Sequence, residues 1–281
     1  MSGGGPSVGC MGDQDKSEAG EARPEPRRPF TLAVDIGGTG LKASVLDAGG
    51  AMVADRVKVP TTYPLPPDKL VSVLTKLVAP LPAAERASVG FPGMVRDGLV
   101  LSAPHFSTKH GPGSAVDPDL AKLWSEFDLA STLAEAFGLP TKVANDADIQ
   151  GAAVVSGTGL ELAITLGTGF GSGLFYKGQL MPHLEIAHQP FRKGETYNEQ
   201  LGEATRKAIG EERWNKRVHR AITNLRALLF FDHLYIGGGN SRRLHRDALD
   251  DDVTIVDNTA GILGGIKLWE SDHIAVNDPP G

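Results

Sequence analysis

Asn145 and Asp146 form an amide and carboxylate pair that follows a short apolar strand and precedes a predicted helix over residues 147–155. A carboxylate at the end of a strand can accept a proton from an alcohol that lies within hydrogen-bond distance. The local sequence alone favours helix capping over this role, because Asp and Asn are preferred caps that contribute about 1 kcal/mol. Asp146 is therefore a candidate general base whose role depends on the groups around it.

Two glycine turns offer backbone amides to an anion. Glycine has no side chain to keep an anion away from the backbone, so several N–H groups can point at one phosphate. Each turn alone is equally consistent with an ordinary hairpin, but two of them in one chain favour phosphate binding. The candidate phosphate ligands are Gly37, Gly38 and Thr39 in the first turn and Gly167, Thr168 and Gly169 in the second.

A third glycine cluster, Gly237, Gly238 and Gly239 followed by Asn240, comes directly after a short apolar strand. Bare backbone at the carboxyl end of a strand is where nucleotides often bind in α/β sheets. These four residues are therefore candidate nucleotide ligands, although a plain turn from strand to helix would have the same sequence.

Asp35 ends the strand before the first glycine turn and could hold a magnesium ion through water. Phosphoryl transfer needs amides that bind phosphate, a carboxylate that positions magnesium, and a base near the acceptor hydroxyl. The sequence supplies a candidate for each of these requirements.

The elements that must position these groups form two similar series and predict an α/β fold. Each series has strands on both sides of a glycine turn, an amphipathic helix and a further buried strand. The later helix places Trp214, Val218 and Ile222 on one face, as expected for a helix that covers a sheet. The predicted elements are strands at 30–34, 41–46, 52–59 and 87–91 with a helix at 70–77, then strands at 161–166, 171–176 and 233–236 with a helix at 214–229.

A stretch rich in turn residues between Pro104 and Pro118 predicts a domain boundary, because the periodic pattern stops there. We expect a small α/β domain over 29–115 and a larger one over 116–258. Residues 1–28 carry Gly, Pro and charged side chains with few large apolar ones, so we expect a disordered tail.

The composition of the 281 residues favours a cytoplasmic protein with small-molecule partners. A net charge of −6 gives no general attraction to nucleic acid or to an anionic membrane. Cys10 is the only cysteine, so one chain can form neither a disulfide nor a cysteine metal cluster. No run approaches the roughly 20 apolar residues that span a bilayer, and no signal peptide is expected.

Five short motifs follow one another along the chain, namely Asp35–Thr39, Gly90–Gly93, Asn145–Asp148, Leu166–Gly169 and Ile236–Asn240. Their order and spacing resemble those of the ROK sugar kinases, which belong to the actin-like, hexokinase-like ATPases with a ribonuclease H-like fold. The resemblance covers residues 30–269. The stretches 192–197 and 214–218 are most similar to the polyphosphate glucokinase branch of this family.

The resemblance implies a two-domain kinase with a cleft between its domains, in which a C-terminal helix near 259–270 crosses back to the first domain. Its reaction would transfer a phosphoryl group from ATP or polyphosphate to the 6-hydroxyl of glucose or a similar hexose. Magnesium is the implied cofactor, Asp146 the implied base, and a homodimer is compatible with the family. The implied sugar contacts are Asn145, Gly93, Glu185 and His188, and Lys42 is an implied phosphate contact that a solvated strand lysine explains equally well.

Two positions depart from the family pattern. Ala187 replaces the glycine of a Glu-x-Gly-His motif, and His105 replaces an asparagine that is expected to help hold the sugar. Zinc is not expected, because the cysteines of zinc-bearing members are missing, so His188 should bond a sugar hydroxyl or a neighbouring carboxylate. His183 is predicted to be a structural histidine without a role in the site.

Several alternatives stay open. A basic run from Arg192 to Arg220 either lines a groove for a long polyanion or forms a solvated helix face. The sugar could equally be mannose, fructose or an N-acetylhexosamine. A non-catalytic sugar-sensing regulator would need a helix-turn-helix module, for which the first residues are too short and too rich in Gly and Pro. An actin-like ATPase would share the phosphate turns but would not need the sugar contacts.

Overall fold

The computed structural model describes Met1 and residues 25–256, 260–270 and 274–280. Within these ranges no helix has the length and hydropathy needed to cross a bilayer. The strands are β1 (Thr31–Ile36), β2 (Gly40–Leu46), β3 (Val57–Pro60), β4 (Arg86–Phe91), β5 (Met94–Arg96), β6 (Leu99–Ser102), β7 (Phe127–Asp128), β8 (Thr141–Asn145), β9 (Leu160–Leu166), β10 (Phe170–Tyr176), β11 (Gln179–Leu180), β12 (Pro190–Arg192), β13 (Glu195–Thr196), β14 (His233–Gly237) and β15 (Val253–Ile255). The α-helices are α1 (Pro67–Val78), α2 (Pro118–Trp124), α3 (Leu129–Phe137), α4 (Asp146–Ala152), α5 (Tyr197–Leu201), α6 (Glu203–Ile209), α7 (Glu211–Leu229) and α8 (Ala260–Lys267).

Two five-stranded sheets dominate the fold and share one topology. Their strand orders are β3-β2-β1-β4-β8 and β11-β10-β9-β14-β15. In each sheet the first two neighbouring pairs are antiparallel and the next two are parallel. The predicted α/β fold with two similar series of elements is therefore confirmed.

The first sheet takes β8 from beyond the predicted domain boundary at residue 115. Its pairing with β4 runs from Ala87 opposite Thr141 to Phe91 opposite Asn145. The C-terminal α8 also lies on this sheet, where the Ser88 hydroxyl donates a hydrogen bond to the α8 carbonyl at position 265 at 2.6 Å. We therefore propose that the first domain extends to about residue 145 and is completed by α8. Residue 259 of the predicted helix lies outside the described residues.

The end of the predicted tail contacts the first sheet. The Ala48 amide donates to the Arg27 carbonyl at 2.7 Å, and the Arg28 guanidinium pairs with Glu85. Both arginines thus have partners in the folded body, and we propose that the folded part of the chain begins before residue 29. Residues 2–24 of the predicted tail lie outside the described residues. The strand predicted at 52–59 is also shorter than expected, because Met52 forms only an isolated bridge with Leu46.

Helix α4 lies between the two sheets and begins with Asp146. Glycines on the sheets allow its close approach: a Cβ atom at Gly171 of β10 would lie 2.8 Å from Ala147 Cβ, and one at Gly173 would lie 3.1 Å from Asp148 Cα. On the first sheet, a Cβ atom at Gly90 would lie 3.3 Å from Cδ1 of Ile149 in α4. Both sheets therefore fix the start of α4.

Glu161 stabilises the loop that leads from α4 into β9. Its carboxylate is fully buried and accepts hydrogen bonds from the amides of Ser156, Gly157 and Thr158 at 2.6, 2.8 and 3.1 Å. The Tyr235 hydroxyl donates a fourth at 3.0 Å. Burial opposes ionisation, but these donors outweigh it and lower the pKa of Glu161 below its ordinary value of 4.5.

We expect Glu161→Gln to lower the free energy of unfolding by about 3 kcal/mol, because the new amide nitrogen cannot accept the loop N–H groups. Urea unfolding at pH 7 measures this loss. The exposed Glu212→Gln, which breaks only a surface pair with Lys216, is the matched control and should change little. Since the folded pKa of Glu161 lies below 4.5, its contribution is complete above about pH 4.5 and disappears as the pH falls through the folded value. Equal losses for the two variants would contradict this prediction.

Candidate active site

A cavity of about 490 Å³ opens between the two sheets and brings most of the predicted site residues together. Its walls come from the glycine turns of both sheets, the start of α4 and the segment after β11. The predicted residues that line it are Gly37, Gly38, Gly93, Asn145, Asp146, Gly167, Thr168, Gly169, Glu185, His188, Gly238 and Gly239. Those predicted residues that do not line it are Asp35, Thr39, Lys42, Gly237 and Asn240.

Asn145 is the N-cap of α4, so the capping considered for Asp146 is carried mainly by its neighbour. Asn145 Oδ1 accepts from the Ala147 amide at 2.8 Å, and its Nδ2 donates to the Gly93 carbonyl at 2.9 Å. The same Ala147 amide lies 2.9 Å from Asp146 Oδ1. Asp146 Oδ2 has no hydrogen-bond partner among the described residues. One carboxylate oxygen of Asp146 is thus left for a ligand in the cleft.

The carboxyl of Asp146 has an unusually high proton affinity. Desolvation raises its pKa most, and the charges of Asp35 and Asp148 raise it further, whereas the Ala147 amide and His183 lower it. The result is a pKa of about 7. A carboxyl that titrates near neutral pH is suited to exchange protons with a bound hydroxyl.

The first glycine turn is braced through its carbonyl groups. The Thr61 hydroxyl donates to the Gly37 carbonyl at 2.6 Å, and the Tyr63 hydroxyl donates to the Gly38 carbonyl at 2.7 Å. The Gly37 amide closes the turn onto the Gly40 carbonyl at 3.0 Å. The amide of Gly38 has no hydrogen-bond partner in the described part of the chain, which leaves it for an anion.

The second turn is braced in a similar way by the third. Asn240 Nδ2 donates to the Gly167 carbonyl at 3.1 Å, and its backbone amide donates to the Leu166 carbonyl at 2.8 Å. Within the ranges described, the amides of Thr168 and Gly169 have no hydrogen-bond partner. Asn240 therefore holds the second turn in place, and its predicted contact with a nucleotide stays a prediction.

Asp35 and Lys42 pair with each other across neighbouring strands, with Nζ and Oδ2 2.9 Å apart. The described residues contain no group of three His, Cys, Asp or Glu side chains that could enclose a metal ion. Magnesium in kinases usually binds one or two carboxylates together with substrate phosphates. A partly exposed Asp35 fits that mode, with Lys42 as its alternative partner.

Two functional candidates that sequence reasoning missed, His183 and Asp148, lie beside Glu185. His183 Nδ1 is 2.9 Å from Asp148 Oδ2, and its Nε2 is 3.5 Å from Glu185 Oε2. His183 also lines the cavity. The sequence carries a weak signal for this cluster, since His183 is two residues from Glu185 and Asp148 is two residues from the candidate base.

Two histidines of the cavity have opposite protonation tendencies. Burial lowers the pKa of His105, whose Nδ1 has no partner among the described residues and lies beside Gly38. Burial also disfavours the charged form of His183, but the carboxylates of Asp148 and Glu185 outweigh it and raise its pKa to about 10. The environment therefore favours the neutral form of His105 and the cationic form of His183.

Comparisons with known proteins find sugar kinases of similar sequence. Polyphosphate glucokinase from Mycobacterium tuberculosis is 28% identical over 261 residues, which cover 86% of this chain and 91% of that protein. N-acetylmannosamine kinase from Escherichia coli is 35% identical over 158 residues, or 54% of this chain and 49% of that protein.

A crystal structure of an inorganic polyphosphate/ATP-glucomannokinase from Arthrobacter sp. strain KM matches with a TM-score of 0.72 and 28% identity. The match covers 86% of this chain and 100% of that one, which confirms the predicted hexokinase-like fold. A model of the ROK family matches residues 31–184, more than half of the sequence. The sequence resemblance is thereby confirmed, and the chain belongs to the ROK family.

Proposed function

We propose that this protein is a sugar kinase that transfers a phosphoryl group from polyphosphate or ATP to the 6-hydroxyl of glucose or a similar hexose. The observation that carries the proposal is Asp146, whose carboxyl lies in a cleft lined by all three glycine turns. The relatives support it, because they include a polyphosphate glucokinase and a polyphosphate/ATP-glucomannokinase.

In the proposed reaction Asp146 accepts the proton of the sugar 6-hydroxyl. The hydroxyl oxygen forms a bond to the terminal phosphorus while the bond from that phosphorus to the bridging oxygen of the donor breaks. The electron pair of the broken bond stays on the leaving phosphate. Amides of the two turns, including those of Gly38 and Gly169, stabilise the charge on the transferred group. Asn145 and Glu185 orient the sugar.

Magnesium would neutralise part of the phosphate charge in this reaction. Asp35 is the residue that would hold the ion, through water. Lys42, which pairs with Asp35 in the structure, would then contact the negative charge of a phosphate in place of that carboxylate. The protein groups of the cleft supply the base and the anion-binding amides independently of the ion.

The phosphoryl donor is the least constrained part of the proposal. Of the predicted basic run, Arg206, Lys207 and Lys216 pair with glutamates and are less available to a polyanion. Burial and then the charge of Arg192 lower the pKa of Arg217, and the charge of Glu195 partly opposes them, so Arg192 and Glu195 both lie near Arg217. The two arginines, with Glu195 as their neighbouring acid, are the part of the run that supports polyphosphate as a donor.

A panel assay tests the proposal directly. The full chain is incubated with magnesium, single hexoses, and either ATP or polyphosphate, and sugar phosphates are detected by mass spectrometry. We expect a hexose 6-phosphate with at least one donor. The absence of any sugar phosphate in every combination would overturn the proposed function, and sugar binding without turnover would instead favour a sensor.

A second sugar class has a specific observation in its favour. The relative with 35% identity over part of the chain is an N-acetylmannosamine kinase. His105 and Ala187, which depart from the family pattern, also leave the choice of sugar open. N-acetylhexosamines therefore belong in the same panel, and their preferential use over glucose would identify this second function.

The pKa of Asp146 predicts the pH dependence of the reaction. Because Asp146 must be ionised to accept a proton and its pKa is about 7, kcat/KM should fall about tenfold per pH unit below that value. Above it the activity should level off. Initial rates between pH 5 and 9, with a slowly used sugar so that proton transfer limits the rate, measure this profile. A rate that stays constant down to pH 5 would contradict the role of Asp146.

A further inference from the structure

The His183 side chain connects the helix of the base to the segment that carries Glu185. Its Nδ1 bonds Asp148 Oδ2 at 2.9 Å, and Asp148 is the third residue of α4. Its Nε2 faces Glu185 Oε2 at 3.5 Å. The same segment also accepts a hydrogen bond from β10, where the Ser172 hydroxyl donates to the Leu184 carbonyl at 3.1 Å. His183 therefore holds a fixed place relative to the base and the glutamate.

The second nitrogen of His183 forms no hydrogen bond of good geometry with the described residues, and its nearest charged group is Glu185. The histidine side chain is only 9% exposed, and Nε2 is a buried atom with no hydrogen bond in the described part of the protein. The separation of 3.5 Å from Glu185 is too long for a good hydrogen bond. Buried polar atoms normally have partners, and an unpaired one costs about 1–3 kcal/mol. An exception that lines a ligand cavity needs an explanation.

We infer that His183 is a substrate-contacting residue, whose Nε2–H donates to a sugar hydroxyl that itself donates to the Glu185 carboxylate. The inference rests on the proposed function, because it assigns a hydroxyl-bearing ligand to the cleft. One hydroxyl can accept from an imidazole and donate to a carboxylate at the same time. Such a hydroxyl would satisfy the buried nitrogen and keep the glutamate paired.

The surrounding charges support a donor at this position. The carboxyl groups of Asp148 and Glu185 raise the pKa of His183 to about 10, which favours the imidazolium form with a proton on each ring nitrogen. An ionised carboxylate such as that of Glu185 can accept hydrogen bonds but cannot donate them. A methyl or methylene in place of the hydroxyl would leave both groups unpaired, and sites of this kind reject such analogues by large factors. His183 therefore selects for a hydroxyl at one position of the sugar.

Two substitutions separate substrate contact from a structural role. His183→Asn places an amide nitrogen near the position of Nδ1, so it can keep the bond to Asp148 but loses the donor that faces the cleft. His183→Gln reaches the position of Nε2 and loses the bond to Asp148. We expect the Asn variant to keep its Tm and to raise the KM for the sugar by about 10- to 100-fold, with the KM for the phosphoryl donor unchanged. The Gln variant should keep more of the sugar affinity at a lower Tm.

A series of monodeoxy sugars identifies the hydroxyl. The wild type should use one deoxy sugar far less well than its parent, and His183→Asn should remove most of that difference, as in a double-mutant cycle. His245→Asn, at an exposed histidine, is the control and should behave like the wild type. Calorimetric titration of each sugar without a phosphoryl donor gives the same comparison as binding.

The possible failures are distinguishable. A wild type that binds no hexose overturns the proposed function and this inference together. An active wild type whose Asn variant has the same KM for every sugar overturns only the inference. An Asn variant that uses sugar better than the Gln variant and is also the more stable one would assign His183 a structural role and equally overturn it.

Discussion

Asp146→Asn should lower kcat for sugar phosphorylation by about 10³-fold, since general base catalysis contributes roughly 10²–10⁴-fold. The amide has the shape of the carboxyl group but cannot accept the proton of the hydroxyl. Sugar binding should persist, because Asn145 and Glu185 are unchanged. Stopped assays with the best sugar of the panel measure kcat, and calorimetry measures binding.

The stability of this variant provides an internal control. The pKa of Asp146 is raised to about 7 from an ordinary value of 3.8, so its contribution to stability falls as the pH rises from about 4 to about 7, and the full cost of its buried charge is present above that range. A neutral amide removes that penalty, and at pH 8 the variant should have a Tm equal to or higher than that of the wild type. A stable variant with near wild-type kcat would exclude Asp146 as the base.

Gly238→Ala should unfold or strongly destabilise the second sheet. Gly238 has a φ of +87°, and a Cβ atom there would lie 2.3 Å from the Leu166 carbonyl oxygen and 2.6 Å from its nitrogen. Both atoms belong to the backbone of β9 and cannot rotate away. Backbone strain and overpacking each cost about 1–3 kcal/mol, so we expect a loss of about 2–5 kcal/mol in the free energy of unfolding. Chemical denaturation measures it.

The neighbouring glycine is a matched control for this prediction. A Cβ atom at Gly239 would have nothing within 4 Å, and its backbone is not in the left-handed region. Gly239→Ala should therefore keep the stability of the wild type, although it lines the cleft and can affect the phosphoryl donor. Equal stability of the two alanine variants would contradict the close approach of the third turn to β9.

The sequence predicts the parts of the site that depend on neighbouring residues. The two hairpins and their glycine turns follow from local patterns, and so does the position of Asp146 at the junction of β8 and α4. Contacts between distant residues do not follow from such patterns. Asp148 and His183 are 35 residues apart, and their contact requires α4 to pack on β10.

The predicted domain boundary illustrates the same limit. Turn residues before Pro118 interrupt the periodic pattern, yet the first sheet gains β8 more than 20 residues later. Strand partners in a parallel sheet are separated by long connections, so local sequence carries little information about them. The pairing of Asp35 with Lys42 is the opposite case, because a hairpin fixes which residues face each other.

The glycines that contact α4 restrict which parts of the cleft can be redesigned. A side chain at Gly171 would overlap Ala147 of the helix, and one at Gly173 would crowd Asp148, so the sheet next to the base has little room for new side chains. His105 and His183 instead lie on connecting segments outside the two sheets. Engineering of sugar preference should therefore begin at His105, because His183 is bonded to Asp148 on the helix that carries the base.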